Sequence, residues 1–254
     1  MDNNEVSVIP LGTVSPYPKG NLNCPGFLVM IGKYKILLDC GNGISKMFKY
    51  PDAFNDLIII ISHLHNDHFA DLGAFAYTSY VYHKLGKLNN KVKVLIPNKD
   101  IKSTYAYDYL KNLDNSYLDI ENYDGKTNLN YGGADISFIK NLHDITTYST
   151  KIKYYNKTIV YSSDTGYEFD HLDLFAKNAD LLICESTFLY DQKGDNNFHL
   201  SAFDAGMIAM AADVKKLMLT HFFPEIDKQK YVIEAQKMFE NTIAAEEGKK
   251  LVLK

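Results

Sequence analysis

The chain has 254 residues, 46% hydrophobic and 23% charged, with a net charge of −4. That suits an ordinary globule, expected as one domain over residues 1–254, and no apolar stretch reaches the roughly 18 to 20 residues that a helical membrane span needs. All 27 basic residues are lysine, which argues against a large nucleic acid as partner, because tight phosphate binding draws on a basic face and on arginine forks.

In chain order, the polar start Met1-Asp2-Asn3-Asn4-Glu5 has no secretory character. Short β-branched or alternating runs then predict strands at Val6–Leu11, Gly26–Ile31, Tyr34–Leu38, Leu57–Ile61 and Val92–Ile96. Further strands are expected at Ile136–Ile139, Thr146–Tyr154, Thr158–Tyr161, Leu181–Cys184, Lys216–Leu219 and Lys250–Leu253. Helices are expected at Ala70–Leu85, at Asn98–Leu113 with Ile101, Tyr105 and Tyr109 on one side, and at Lys228–Phe239. Another, Ser201–Ala212, opens with Ser201 and Asp204 in near capping-box spacing. Strands and helices in this order fit two sheets packed face to face with helices outside.

The densest chemical signal follows the run Leu57 to Ile61. Ser62-His63-Leu64-His65-Asn66-Asp67-His68 places three imidazoles and a carboxylate in six residues. Neutral imidazole and carboxylate oxygen are the usual ligands of zinc and its neighbours. In an extended segment His63, His65 and Asp67 share a face, whereas on a helix His63 and His65 would diverge. A histidine-rich surface loop is the plain alternative, but such a loop would not need a buried strand feeding it.

Five other stations put ligand-type residues at strand ends or helix starts: Asp39 to Gly43, Asn141 to Asp144, Ser162 to Gly166, Asn197 to Ser201, and Leu219 to Pro224. Taken singly, a histidine at a strand end is more often a satisfied ordinary residue, and Asp164 before Thr-Gly is as readily a turn former. Taken together, His143, Asp164 and His221 supply what a two-metal site lacks. His83 and His171 fall outside these stations and read as helix-face residues. Cys24, Cys40 and Cys184 lack any paired spacing and read as free thiols of a reducing, cytoplasmic compartment. The lysines Lys84, Lys87, Lys91 and Lys93 read as a solvated surface.

The series His63-x-His65-x-Asp67-His68, His143, Asp164 and His221, with Pro10 to Thr13 and Leu37 to Gly41 before it, resembles the metallo-β-lactamase fold superfamily over nearly the whole chain. His199-Leu200-Ser201-Ala202 and Leu219-Thr220-His221 are most similar to its ribonuclease Z and phosphodiesterase branch. The resemblance implies an α/β (α+β) fold, a four-layer αββα sandwich. It implies two divalent ions, zinc with manganese or iron as alternatives. His63, His65 and His143 would hold one, Asp67, His68 and His221 the other, and Asp164 would bridge them. It also casts Asp67 and His199 as catalytic, Asp67 orienting the nucleophile and His199 polarising the phosphate or protonating the leaving group.

One departure matters. Ribonuclease Z enzymes carry a tRNA-gripping arm between the positions matching His143 and Asp164, where this chain has only 20 residues. The expected activity is therefore hydrolysis of a small phosphodiester or cyclic nucleotide by a hydroxide held between the two ions. The partner is a small-molecule substrate rather than a large nucleic acid or a membrane, and a homodimer follows from resemblance. Cleft loops at Ser15–Pro25, Phe69–Tyr82 and Phe188–Phe198 are candidates for selectivity, with Tyr77, Tyr80 and Tyr82 as stacking groups. Alternatives are a lactone, thioester or β-lactam hydrolase and a non-catalytic metal-binding subunit. An iron-dependent redox relative would have Glu where His65 stands.

Overall fold

The computed structural model describes residues 5–113 and 118–253. The first half builds β1 (Val6–Gly12), β2 (Gly26–Ile31), β3 (Tyr34–Leu38), β4 (Leu57–Ile60), β5 (Val92–Pro97) and β6 (Leu118–Tyr123). The helices α1 (Asn66–Phe69) and α2 (Leu72–Lys84) follow β4, and α3 (Thr104–Leu113) follows β5. The second half builds β7 (Asn128–Tyr131), β8 (Ala134–Lys140), β9 (Tyr148–Tyr154), β10 (Lys157–Tyr161), β11 (Leu181–Glu185), β12 (Leu217–Thr220) and β13 (Thr242–Ala244). Its helices are α4 (Leu172–Phe175), α5 (Tyr190–Lys193), α6 (Ala202–Ala211) and α7 (Lys228–Ala235), and β14 (Leu251–Leu253) returns to pair with β1.

The two sheets share one plan. The first runs β14-β1-β2-β3-β4-β5-β6 and the second β13-β12-β11-β10-β9-β8-β7. In each, the hairpin-connected strands pair antiparallel and the strands joined by helices pair parallel. Three hydrophobic layers result. Val29, Ile36, Ile58, Tyr123, Ile152, Ile159 and Ile183 interlock between the sheets. Ile59, Val94, Leu72, Phe75 and Leu110 pack α2 and α3 onto the outer face of the first sheet. Leu182, Leu219, Ala205, Ile208 and Tyr231 do the same for α6 and α7 on the second. Because both faces of each sheet are covered, β4, β11 and β12 are buried throughout, which is why they read as unbroken apolar runs.

The expected strands are all present within a residue or two of their bounds. The sequence reading missed β6, β7 and β13: Leu118-Asp119-Ile120-Glu121-Asn122-Tyr123 and Asn128-Leu129-Asn130-Tyr131 are too polar, and β13 too short, to give a strong period. The helix predicted from Asn98 begins later. Asp100, not Asn98, caps the short 3-10 turn Ile101–Ser103 that leads into α3, accepting from the Lys102 N–H at 2.9 Å. Its aromatic side faces solvent, with Ile101 91% and Tyr105 87% exposed, while Leu110 is the buried anchor. Ser201 and Asp204 form the full capping box. All three cysteines are buried and free. Among the lysines of the candidate patch, Lys93 pairs with Glu121 at 2.8 Å and Lys84 lies over the Tyr80 ring. No helix among the described residues is long and apolar enough to cross a membrane.

The inter-sheet layer sets the stability. Ile183→Ala, which opens a hole in that layer, should lower the unfolding free energy by about 2–5 kcal/mol. A urea titration should show the midpoint falling with the slope unchanged.

Candidate metal centre

The stations singled out by sequence lie at the carboxyl ends of the strands, the edge where open α/β sheets bind ligands. Asp39 follows β3, His63 follows β4, His143 follows β8, Asp164 follows β10, Glu185 ends β11 and His221 follows β12. Asp39, Ser163 and His221 turn there with positive φ of 60°, 53° and 63°, a region that few non-glycine residues adopt. Gly41 is required by packing rather than by a turn. A Cβ there would lie 2.0 Å from the Asp67 carbonyl, so only glycine lets the loop carrying Asp67 close on the loop after β3.

All seven side chains of the expected ligand set converge, in two groups. In the first, His65 Nδ1 lies 3.0 Å from His63 Nε2 and 3.1 Å from His143 Nε2. In the second, His68 Nε2 lies 3.2 Å from His221 Nε2, and Asp67 Oδ2 is 3.6 Å and 3.7 Å from those two nitrogens. Asp164 stands between the groups. Its Oδ2 is 3.5 Å from His63 Nε2, and its Oδ1 is 3.0 Å from His221 Nε2 and 3.4 Å from His68 Nε2.

These residues fit a divalent cation. With zinc–nitrogen bonds of 2.0–2.1 Å, tetrahedral ligand atoms stand about 3.3 Å apart, close to the spacing seen within each group. Although Asp164 Oδ1 is near two imidazoles, it is buried and none of them meets it with hydrogen-bonding geometry. A buried carboxylate oxygen without a donor calls for a cation.

The nitrogens turned away from the pocket explain the orientation. Asp39 accepts from Ser62 N–H at 2.7 Å, Ser62 Oγ at 2.9 Å and Tyr161 O–H at 2.7 Å, and its Oδ2 also takes the Nδ1–H of His68 at 2.8 Å. With the Ser62 proton so committed, the Ser62 oxygen accepts from His63 Nδ1–H at 3.0 Å. His143 Nδ1–H donates to the Phe198 carbonyl at 3.0 Å. Thr187 gives its proton to Glu185 Oε2 at 2.7 Å and accepts from His221 Nδ1–H at 2.8 Å. Each of these four rings is left with its Nε2 facing the pocket, the arrangement that partners behind ligand histidines produce. Ser15 Oγ donates to Asp67 Oδ2 at 2.7 Å.

Sequence reasoning left Asp39 as part of a glycine turn, met Ser15 only as the start of a candidate selectivity loop, and passed over Glu185 and Thr187, whose roles exist only through contacts across the fold. His199 lies beside the two groups, its Nδ1 3.0 Å from Glu185 Oε1 and 4.0 Å from Asp164 Oδ2. Gly166 lets it come there, since a Cβ at that position would sit 1.8 Å from the Asn197 carbonyl. Tyr82 is no stacking group. It packs on Tyr50 and Phe54, whereas Tyr77 is 71% exposed. His83 and His171 stay outside the pocket, and His171 precedes α4 rather than lying on its face, with its Nε2 2.7 Å from the Lys140 carbonyl.

Burial and its histidine neighbours push His63 well below the ordinary imidazole range, and burial likewise lowers His65. Burial also opposes charge on His68 and His221, but Asp164 and the other carboxylates outweigh it, holding His68 well up and His221 at about 10. Burial would raise Asp164, yet His221, His68 and His63 keep it well below the usual carboxylate range. A cation can use His68 and His221 only by displacing their protons. Metal uptake at neutral pH should therefore release protons, and affinity should fall as pH falls. Calorimetric titration with zinc in two buffers of different ionisation enthalpy should give different heats; identical heats would contradict this.

Comparison with known proteins places this architecture. The probable metallo-hydrolase YhfI of Bacillus subtilis (strain 168) is 32% identical over 217 residues, 85% of this chain and 86% of that protein. The crystal structure of that metallo-β-lactamase fold protein covers 98% of this chain and 100% of its own, with a TM-score of 0.89. Ribonuclease Z of Sulfolobus acidocaldarius is 27% identical, covering 95% of this chain and 96% of that protein. Human tRNase Z, short form, at 20% identity and a TM-score of 0.73, shares the fold over 98% of this chain and 99% of its own. The family model described as Anti-Pycsar protein Apyc1 matches residues 6–243. With that span matched, the chain is a metallo-hydrolase of the metallo-β-lactamase fold and belongs to the Anti-Pycsar protein Apyc1 family.

Proposed function

We propose that this chain is a two-metal phosphodiesterase acting on a small phosphodiester or cyclic nucleotide. The observation that carries the reading is the Asp164 carboxylate, with one oxygen turned to each histidine group. His63, His65 and His143 would hold one ion and Asp67, His68 and His221 the other, with Asp164 shared. Zinc or manganese held there would supply an activated water as nucleophile and offset charge on the phosphoryl oxygens. That neutralisation stands in for arginine, which this chain lacks.

Attack on phosphorus in a nucleotide diester expels an alkoxide, and His199 is placed to protonate it. Glu185 and Thr187 occupy Nδ1 of His199, leaving Nε2 to hand a proton to a leaving oxygen. Burial works against charge on His199, but Glu185 raises it above the ordinary imidazole value, which favours the protonated ring that proton delivery requires. The small size of the substrate is supported by the short path from His143 to Asp164. It is filled by β9, β10 and a two-residue turn, with no arm to grip a folded RNA. A ribonuclease among the relatives supports phosphodiester chemistry.

The test is a panel of bis-p-nitrophenyl phosphate, cyclic nucleotides, nitrocefin and an acyl lactone, with metal content measured on the same samples. His63→Ala should lose metal and activity together. His199→Ala should keep its metal and lose about 10²–10⁴-fold on cyclic nucleotides, and less on the p-nitrophenyl diester, whose leaving group needs no proton. Activity that depends on protonated His199 falls as pH rises through its pKa, so Glu185→Gln should move that fall to lower pH. Hydrolysis of nitrocefin or the lactone without any phosphodiester would overturn the reading.

A further inference from the structure

Four of the five histidines of the expected ligand set have a hydrogen-bond partner behind the ring: Ser62 for His63, Asp39 for His68, Phe198 for His143 and Thr187 for His221. His65 differs in two ways. It turns Nδ1 rather than Nε2 inward, and its outward Nε2 has no hydrogen bond among the described residues. The group facing that nitrogen is Asp144, whose Oδ1 lies 3.4 Å away and also 3.3 Å from His143 Nε2. That oxygen is buried and accepts no hydrogen bond among the described residues, even though the side chain as a whole is 40% exposed.

We infer that Asp144 is the positioning residue for His65, accepting its Nε2–H so that the Nδ1 lone pair stays turned into the pocket. A ring nitrogen without a hydrogen bond and a buried carboxylate oxygen without a donor, both among the described residues, face each other. The contact is long, and side-chain exposures of 37% and 40% leave both groups room to close it. The approach of Asp144 to the pocket-facing Nε2 of His143, at 3.3 Å, would also suit a ligand. But Asp144 faces the outer nitrogen of His65, makes no ion pair with His63 among the described residues, and stands outside the group of ligand atoms formed by His63, His65, His143 and Asp164. A carboxylate there fixes the tautomer and strengthens the imidazole as a donor. Sequence reading placed Asp144 in a station beside His143 and gave it no task.

The inference rests on the metal-centre reading above, and its test uses binding rather than turnover. Zinc affinity of the full chain is measured by chelator competition for the unsubstituted protein, Asp144→Ala and Asp144→Asn. Nitrogen–proton correlation spectra of the zinc-loaded protein report the His65 Nε2–H, because without metal the Nδ1 of His65 can donate to the facing Nε2 of His63 or His143. That signal should be downfield and slow to exchange in the unsubstituted protein and lost to exchange in Asp144→Ala. One zinc should bind about 10–100-fold more weakly in Asp144→Ala while the other is unchanged. Asp144→Asn, whose amide oxygen can accept the same proton, should recover most of the affinity. Wild-type affinity for both ions and an unchanged Nε2–H signal in Asp144→Ala would overturn the inference. So would complete loss of one ion from both variants, which marks a direct ligand. The spectrum of the unsubstituted protein decides even where a variant fails to fold. Failure of that protein to bind zinc at all would overturn the metal-centre reading itself.

Discussion

A carboxylate buried between two sets of imidazoles is the constraint around which the rest of the molecule is arranged. Asp164 is 2% exposed and His63 and His68 are fully buried. Groups of this kind cannot be taken from water singly, because an unpaired buried charge is strongly destabilising. They are tolerated here only as a set in which each charge faces an opposite one. That requirement ties strands of both sheets to one edge, since no single loop supplies the set. It also places the supporting ring of Ser15, Asp39, Ser62, Tyr161, Glu185 and Thr187, most of them buried, where sandwich interiors would otherwise be apolar.

The supporting ring follows a consistent division of labour. The first sheet contributes Asp39 and Ser62, which hold His68 and His63, and the second contributes Tyr161, which crosses to the same Asp39. The two sheets are thus joined by polar contacts at the site edge and by apolar packing in the middle. Thr187 links Glu185, His199 and His221 in the same way on the far side. A disturbance at any one of these hydroxyls reaches several pocket residues at once.

Much of this was legible before any coordinates. Strands that are buried on both faces advertise themselves as β-branched runs, and the seven pocket residues stand out because their residue types are costly at strand ends. What stayed hidden has a physical reason. The strands β6 and β7 lie at sheet edges, where half the side chains meet water and the apolar period fades. Tyr105 and Ile101 resemble an inward stripe, yet the helix carrying them is held by Leu110. Asp39 and Glu185 are short acidic residues whose meaning depends on which histidine lies across the fold, information that is absent from local spacing.

The distance along the chain between members of the pocket has a consequence for how the protein is made. His221 leaves a ribosome more than 150 residues after His63 and His68. Until β12 has been synthesised and has docked beside β11, a nascent chain offers the first histidines without their counterweights. Pairings this far apart form late, after more local hairpins. A pocket complete enough to hold a cation therefore exists only once translation has passed that strand, and ion supply would act after the two sheets have met rather than guide the collapse of the first.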